Sequence, residues 1–259
     1  MAKDRAAPDL LIEIEDAIAT LTFNRPEKRN AMCDALIEGL DRFFSAPPKG
    51  VKVAILAGAG GHFSAGLDLS EHVRRDAEGT LRHSRNWQRV MDVIQFGGLP
   101  VVSALTGAVI GGGLEIAAAT HVRVADPGTI FQLPEGRRGI FVGGGASVRI
   151  GRILGADRMI EMMLTGRKYT AQEGLALGLA HYFCDPGQAL EKARELAQGI
   201  AQNASLSNYV MIQALSRIED MAKADGHFAE SLCAALTQTS PDAEEGLRAF
   251  LEKRQPRFR

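Results

Sequence analysis

Two glutamates set among apolar residues are the side chains of this sequence best suited to moving protons. Glu115 follows the triplet Gly111-Gly112-Gly113 and is flanked by Val109, Ile110, Leu114, Ile116 and Ala117; Glu135 follows Phe131-Gln132-Leu133-Pro134 and precedes Gly136-Arg137-Arg138-Gly139. If two such carboxyls converge in an apolar cavity, desolvation and mutual repulsion raise at least one pKa, so one holds a proton while the other is ionised. Adding water across a polarised double bond needs that pair: a base orients and deprotonates the water, and an acid delivers a proton to carbon. Plainer readings stand beside this one. An acid in the first turn of a helix complements the helix dipole at the surface, and a loop acid beside two arginines makes an ordinary ion pair.

Two glycine-rich junctions are the second chemical feature. One runs over residues 53–68, with Gly58, Gly60, Gly61 and Gly66; the other runs over residues 107–115 and ends in the glycine triplet and Glu115. Glycine lets another group approach the backbone closely, and the free N–H groups of a helix start attract negative charge. A pair of such loops could donate two N–H groups to one developing oxyanion. Each loop alone is also an ordinary tight turn or helix start.

Other chemistries lack their residues. Gly58-x-Gly60 is half of a dinucleotide fingerprint, with Ser64 near the place of the third glycine, and there is no phosphate-binding G-x-x-x-x-G-K-[ST]. Ser64 lies in F-S-A-G, not in the G-x-S-x-G of a hydrolase nucleophile. The histidines at 62, 72, 83, 121, 181 and 227 form no H-x-x-x-H pair, and Cys33, Cys184 and Cys233 no C-x-x-C, so a metal or redox centre is not expected.

The elements that must position these residues follow from periodicity. Residues 11–24 alternate with period two and read as two strands with a turn near Glu15-Asp16. A polar loop at 25–30 precedes a helix with Leu36, Ile37, Leu40, Phe43 and Phe44 on its apolar positions; Asn30 is its expected cap and Pro47-Pro48 its stop. Strands are expected at 51–56, 101–109 (broken at Gly107), 121–125 and 129–133, and helices at 87–96 and 114–119. The charged stretch from Glu71 to Asn86 has few apolar anchors and reads as mobile. Helical patterns dominate beyond Gly145, including an amphipathic helix over 186–203 with a proline start. Strands alternating with helices, followed by helices, predict an α/β core with a helical C-terminal part.

Composition agrees with such a molecule. The chain has 259 residues, 46% apolar and 24% charged, and a formal net charge of −1, which gives no electrostatic footprint for nucleic acid or membrane. No stretch reaches the length of a membrane span, and residues 1–10 have no signal or transit character, so a cytoplasmic protein is expected.

Five blocks, in order, carry a resemblance: NRPEKRNAM at 24–32, GHFSAGLDL at 61–69, GAVIGGGLEIAAA at 107–119, FQLPEGRRGIFVGGGASVRI at 131–150 and FLEKRQPRF at 250–258. Together they resemble the crotonase superfamily, the enoyl-CoA hydratase/isomerase family, over nearly the whole chain. The resemblance implies an α/β fold: a ββα spiral core over 1–195 and a helical C-terminal trimerisation region over 196–259, assembling as a homotrimer or a dimer of trimers. It implies an acyl-CoA thioester as substrate, with coenzyme A a part of that substrate, no separate cofactor or metal, and neither nucleic acid nor membrane as partner.

Roles follow by position in the blocks. Leu67 and Gly112 match the two oxyanion-hole amides, with Gly66 and Gly111 beside them in the substrate-binding loops. Glu115 matches the glutamate that activates water, and Glu135 the one that exchanges a proton with the α-carbon; having both is the pattern of the hydratases. Lys28, Arg29 and Ala31 match the loop at the nucleotide end of coenzyme A. Ser64, Ala65, Asp68 and Leu69 match the loop around adenine and pantetheine. Lys253 and Phe258 match C-terminal residues that reach a coenzyme on a neighbouring subunit. The sequence departs from the family at Phe141-Val142-Gly143-Gly144-Gly145, where hydratases usually carry a proline, and at Leu67, which is bulkier than usual though only its amide is needed. The implied reaction is hydration of a trans-2-enoyl-CoA. The alternatives are double-bond isomerisation, hydration with retro-aldol cleavage, and a non-catalytic acyl-CoA or RNA binding module.

Overall fold

The computed structural model describes residues 8–70 and 74–258. Glu71, His72 and Val73, which open the charged stretch, lie outside the described residues.

Strands β1 (Leu10–Glu15) and β2 (Ile18–Phe23) form the expected hairpin, turning at Asp16. Beyond it the chain repeats one pattern. A strand joins a large sheet, a short extended piece crosses to a second sheet, and a helix returns over both. β3 (Val53–Gly58), β4 (Val101–Leu105) and β6 (Val122–Ala125) are the large-sheet strands, and β5 (Ala108–Ile110) and β7 (Ile130–Gln132) the crossing pieces. The helices are α1 (Asp34–Ser45), α2 (Ala77–Phe96) and α3 (Gly112–Ala119). Isolated bridges from Met32 to Leu67 and from Ser64 to Val109 extend the second sheet through the earlier turns. The 101–109 strand thus breaks at Gly107 as expected, and its halves belong to different sheets.

Two short strands interrupt the helical second half: β8 (Tyr169–Thr170) and β9 (Tyr182–Phe183). The large sheet runs β1-β2-β3-β4-β6-β9 and the smaller β5-β7-β8. From β2 to β9 all large-sheet pairs are parallel, and a parallel sheet needs cover on both faces. Ala54, Leu56, Val101 and Leu105 face a core shared with α1, α2 and α3. Val53, Ile55, Ala57, Val102, Ala104 and Val124 face the other way, onto Ala189, Ala193 and Ala197 of α7 (Ala189–Ala201). That alanine stripe at i, i+4, i+8 lets the helix lie close to the sheet. α7 crosses residue 195 without a break, and the chain leaves the sheet only at Gln202. α4 (Ala146–Leu154), α5 (Ala156–Thr165) and α6 (Ala171–Ala176) precede it. α8 (Ser205–Ile218), α9 (Lys223–Gln238) and α10 (Pro241–Leu251) form the C-terminal helical region.

Three local expectations are corrected. Asn30 does not cap α1: it is buried, its side chain accepts from the Arg25 N–H and donates to the carbonyls of Ala59 and His62, and Cys33 stands at the cap position. Pro186 does not start α7, which begins at Ala189 after a turn. Residues 77–86 of the charged stretch are helical: α2 starts ten residues before Trp87, with the Asp76 carboxylate accepting from the Gly79 N–H as its cap. Its surface carries ion pairs, Arg82 with Glu78 and Arg89 with Asp41, and its outer face is charged rather than apolar.

Candidate active site

Gly66 and Gly111 decide the geometry of the site. Gly111 (φ 52, ψ −123) turns the chain from β5 into α3, a backbone conformation only glycine adopts readily. Gly66 (φ 89) presses against that turn: a Cβ there would lie 2.7 Å from the Ile110 carbonyl and 3.2 Å from the Gly112 nitrogen. The amides of Leu67 and Gly112 are thereby brought side by side. The bridge to Met32 uses the Gly66 carbonyl and the Asp68 N–H and passes over the Leu67 N–H. Gly112 begins α3, so its N–H has no helical carbonyl to meet.

Both amides front a cavity of about 170 Å³ that also holds Glu115 and Glu135. α2 supplies one wall with Thr80, His83, Ser84 and Trp87; the segment from Arg138 to Gly144 supplies another. Leu69, Ile140 and Phe141 form an exposed apolar rim. A second cavity, of about 190 Å³, adjoins across Leu67 and His83.

The two carboxyls are both buried, but differently. Glu115 sits in the first turn of α3, and its Oε1 accepts from the N–H groups of Gly144 (2.8 Å) and Ala146 (3.1 Å). Burial pushes its pKa up, while these amides and the Arg149 charge pull it back. Glu135 opens a 3-10 turn (Glu135–Arg138) after Pro134. Its Oε2 is buried with no hydrogen-bond partner among the described residues. Burial, reinforced by the Glu115 charge, pushes its pKa up to about 7. One carboxyl is anchored and hydrogen-bonded; the other is poised to carry a proton at neutral pH. Neither is the surface acid of the plainer reading.

The remaining predicted residues divide. Leu69 and Gly111 line the cavity. Lys28, Arg29 and Ala31 lie on a loop stitched to the 64–68 segment: the Ala65 N–H donates to the Arg29 carbonyl and the Met32 N–H to Gly66. Ser64 is fully buried; its hydroxyl donates to the Asn30 carbonyl and accepts from the Gly66 N–H, so its side chain braces the loop rather than facing the cavity. Asp68 is likewise turned inward, taking hydrogen bonds from Arg25 (2.9 Å), Lys28 (2.8 Å) and Ser70. Burial raises its pKa, but those donors outweigh it and hold the carboxyl well below the usual range. Lys253 and Phe258 do not reach the cavity within one chain; the Phe258 ring lies near Gly246 of α10. Sequence reasoning missed the amides that hold Glu115. Gly143-Gly144-Gly145 was the available signal: a Cβ at Gly144 would come within 2.6 Å of Glu115 Oε2. Among the described residues no group of three or more His, Cys, Asp or Glu is arranged to hold a metal ion, and no helix is long and apolar enough to cross a membrane.

The spiral of ββα turns and the paired carboxyls define a class, and comparison with known proteins gives the same one: the chain belongs to the enoyl-CoA hydratase/isomerase family, whose profile matches residues 13–259. It is 46% identical, with a TM-score of 0.93, to a solved structure from Rhodopseudomonas palustris provisionally described as an enoyl-CoA hydratase; the match covers 97% of this chain and 98% of that one. It is 32% identical to enoyl-CoA hydratase EchA19 of Mycobacterium tuberculosis over 100% of this chain and 99% of the relative. It is also 32% identical to the 2,3-dehydroadipyl-CoA hydratase of Escherichia coli, over 97% and 98%.

Proposed function

We infer that this chain is an enoyl-CoA hydratase that adds water syn across the double bond of a trans-2-enoyl-CoA to give a 3-hydroxyacyl-CoA. The observation that carries this reading is the meeting of Glu115, Glu135 and the Leu67 and Gly112 amides in one small cavity. Glu115, held by Gly144 and Ala146, takes a proton from water as its oxygen bonds to Cβ. The double-bond electrons move onto the thioester oxygen, where the N–H groups of Leu67 and Gly112 meet the growing negative charge. These hydrogen bonds strengthen towards the enolate, which is where they lower the barrier. Losing one such donor typically costs about 3 kcal/mol of transition-state stabilisation. The enolate then collapses, and Cα takes the proton that Glu135 holds.

Coenzyme A enters as part of the substrate, and every proton in this scheme moves through the chain's own groups or water. Its remote contacts supply binding energy away from the reacting carbons; Lys28 and Arg29 suit its phosphates, and Lys253 and Phe258 would reach it from a neighbouring subunit of a trimer or a dimer of trimers. The free thiols of Cys33, Cys184 and Cys233 suit a reducing cytoplasm.

The test is loss of the conjugated enoyl-thioester absorbance with crotonyl-CoA, for the wild type, Glu115→Gln and Glu135→Gln. Rapid loss in the wild type and a fall of about 10²–10⁴-fold in each variant is the expected result. A fully active Glu135→Gln would overturn the two-carboxyl mechanism. Wild type that shifts the double bond, or cleaves a hydrated cinnamoyl-type thioester, without accumulating 3-hydroxyacyl-CoA would replace hydration by isomerase or hydratase-lyase chemistry.

A further inference from the structure

Glu115 is held by main-chain amides, and a peptide N–H points where its peptide plane points. The N–H of Gly144 belongs to the same peptide unit as the carbonyl of Gly143, and in a trans peptide the two point in opposite directions. That carbonyl accepts from the Ser84 hydroxyl (2.6 Å) and the Gln88 amide (3.1 Å), both on α2. The next carbonyl, of Gly144, accepts a longer bond from Arg149 Nη1 (3.4 Å). The same guanidinium donates to Gln95 Oε1 (2.6 Å) and pairs with Asp92, again on α2. Arg149 is only 9% exposed. It packs so closely on the turn that a Cβ at Gly145 would come within 2.2 Å of its Nη1. A glycine turn has little steric reason to keep one orientation. This one is pinned at successive carbonyls, at Gly143 directly from α2 and at Gly144 by Arg149 of α4, which α2 in turn holds.

We propose that Gln88 and Arg149 are positioning residues for Glu115: from behind the cavity wall Gln88 fixes and polarises the Gly143–Gly144 peptide whose N–H holds the carboxylate, and Arg149 fixes the next peptide, which links that N–H to the Ala146 N–H. Neither residue lines the cavity that contains the two glutamates; both face a separate, larger cavity beside α8. Neither side chain can touch a bound substrate, so their substitution reaches the reaction through the turn, through the Arg149 charge felt by Glu115, or through Ser84, to which Gln88 also donates. Hydrogen-bonding a peptide carbonyl also strengthens the bond its N–H donates, so Gln88 acts on Glu115 in charge as well as in aim. The catalytic consequence rests on Glu115 being the base of the hydration proposed above; the positioning itself does not.

The test separates aim from charge. The charged and titratable groups around Glu115 are Arg149 with its partner Asp92, Glu135 on the 3-10 turn, and His83 and Arg138 on the cavity wall. The Glu115 carboxyl is followed by ¹³C NMR titration, assigned with Glu115→Gln, in wild type, Gln88→Ala, Arg149→Lys and Arg149→Gln. Crotonyl-CoA hydration is measured against pH on the same proteins. Positioning predicts that Gln88→Ala, which changes no charge, and Arg149→Lys, which keeps the charge but loses the fork, both raise the Glu115 pKa. In both, kcat falls by about tenfold or more, as small misplacements of reacting groups do, while KM changes little. A shift confined to Arg149→Gln, with Gln88→Ala and Arg149→Lys titrating as wild type, would overturn the proposal and leave only a long-range charge effect. If Arg149→Gln does not fold, Gln88→Ala decides. If the wild type hydrates no enoyl-CoA, the reading of the function fails, and the carboxyl titration still decides the positioning.

Discussion

Glu135 and Glu115 share a cavity, yet their surroundings hold their carboxyls differently. Oε1 of Glu115 has two amide donors, whereas Oε2 of Glu135 has no partner among the described residues. In the proposed hydration Glu135, raised from its ordinary 4.5 to about 7, must be protonated to deliver a proton to Cα. Hydration measured as kcat/KM is therefore expected to fall as pH rises through about 7, and a pH profile that stays flat to pH 9 would count against Glu135 as the donor. The same shift makes a statement about stability. A carboxyl whose folded pKa is raised binds its proton more tightly when folded. Its contribution is full below 4.5 and is lost as pH rises from 4.5 through about 7. Glu135→Gln stays neutral and escapes that loss. Urea denaturation should find it about 1–3 kcal/mol more stable than wild type at pH 8, with the difference fading at pH 5. An equal difference at both pH values would mean the gain has another source.

At the scale of elements, α3 packs on the segment around Ser64 with no room to spare. A Cβ at Gly113 would sit 2.5 Å from the Ser64 carbonyl, a backbone atom that cannot move aside. At Gly112 the nearest clash is with the flexible end of Met32, at 2.5 Å. Gly113→Ala should therefore destabilise by about 1–3 kcal/mol and Gly112→Ala by less, read by thermal unfolding; equal losses would contradict the packing described.

The same elements show what a sequence displays. The hairpin, the strands and α1 follow from periodicity because one face of each is buried. The glycine triplet and Glu115 announced themselves by type and spacing. The first three turns of α2 did not, because exposed ion pairs and an Asp76 cap replace the apolar stripe that periodicity detects. The inward side chains of Asn30, Ser64 and Asp68 were illegible for a related reason. They satisfy backbone and charge across chain separations of roughly thirty to forty residues, which no local pattern encodes. Convergence of Glu115 with Glu135 depends on β6 and β7 returning the chain to α3, a matter of topology.

For the molecule as a whole, the C-terminal helices leave large apolar side chains uncovered. Phe228, Leu232 and Leu236 repeat at i, i+4, i+8 along α9, and Leu247, Phe250 and Leu251 stand on α10. A surface of that kind marks an interface. The trimer or dimer of trimers proposed above would cover it and would bring Lys253 and Phe258 to a neighbour's site. Sedimentation velocity at micromolar concentration should find no monomer in the wild type, and Leu232→Glu should release monomers with weakened binding of coenzyme A thioesters. A monomeric wild type with full activity would overturn both.

The order of strands in the large sheet follows the order of the chain, and that has a consequence for how the molecule comes into being. Each new strand, from β2 to β6, finds its partner already made, so the sheet can grow turn by turn as synthesis proceeds from the N-terminus. The cover for its second face does not keep pace. Val53, Ile55, Ala57, Val102, Ala104 and Val124 wait for Ala189, Ala193 and Ala197. From completion of β6 at Ala125 until α7 closes at Ala201, a nascent chain carries a bare greasy plane. That interval is when it most needs a chaperone, and any fragment ending before α7 is expected to aggregate rather than fold.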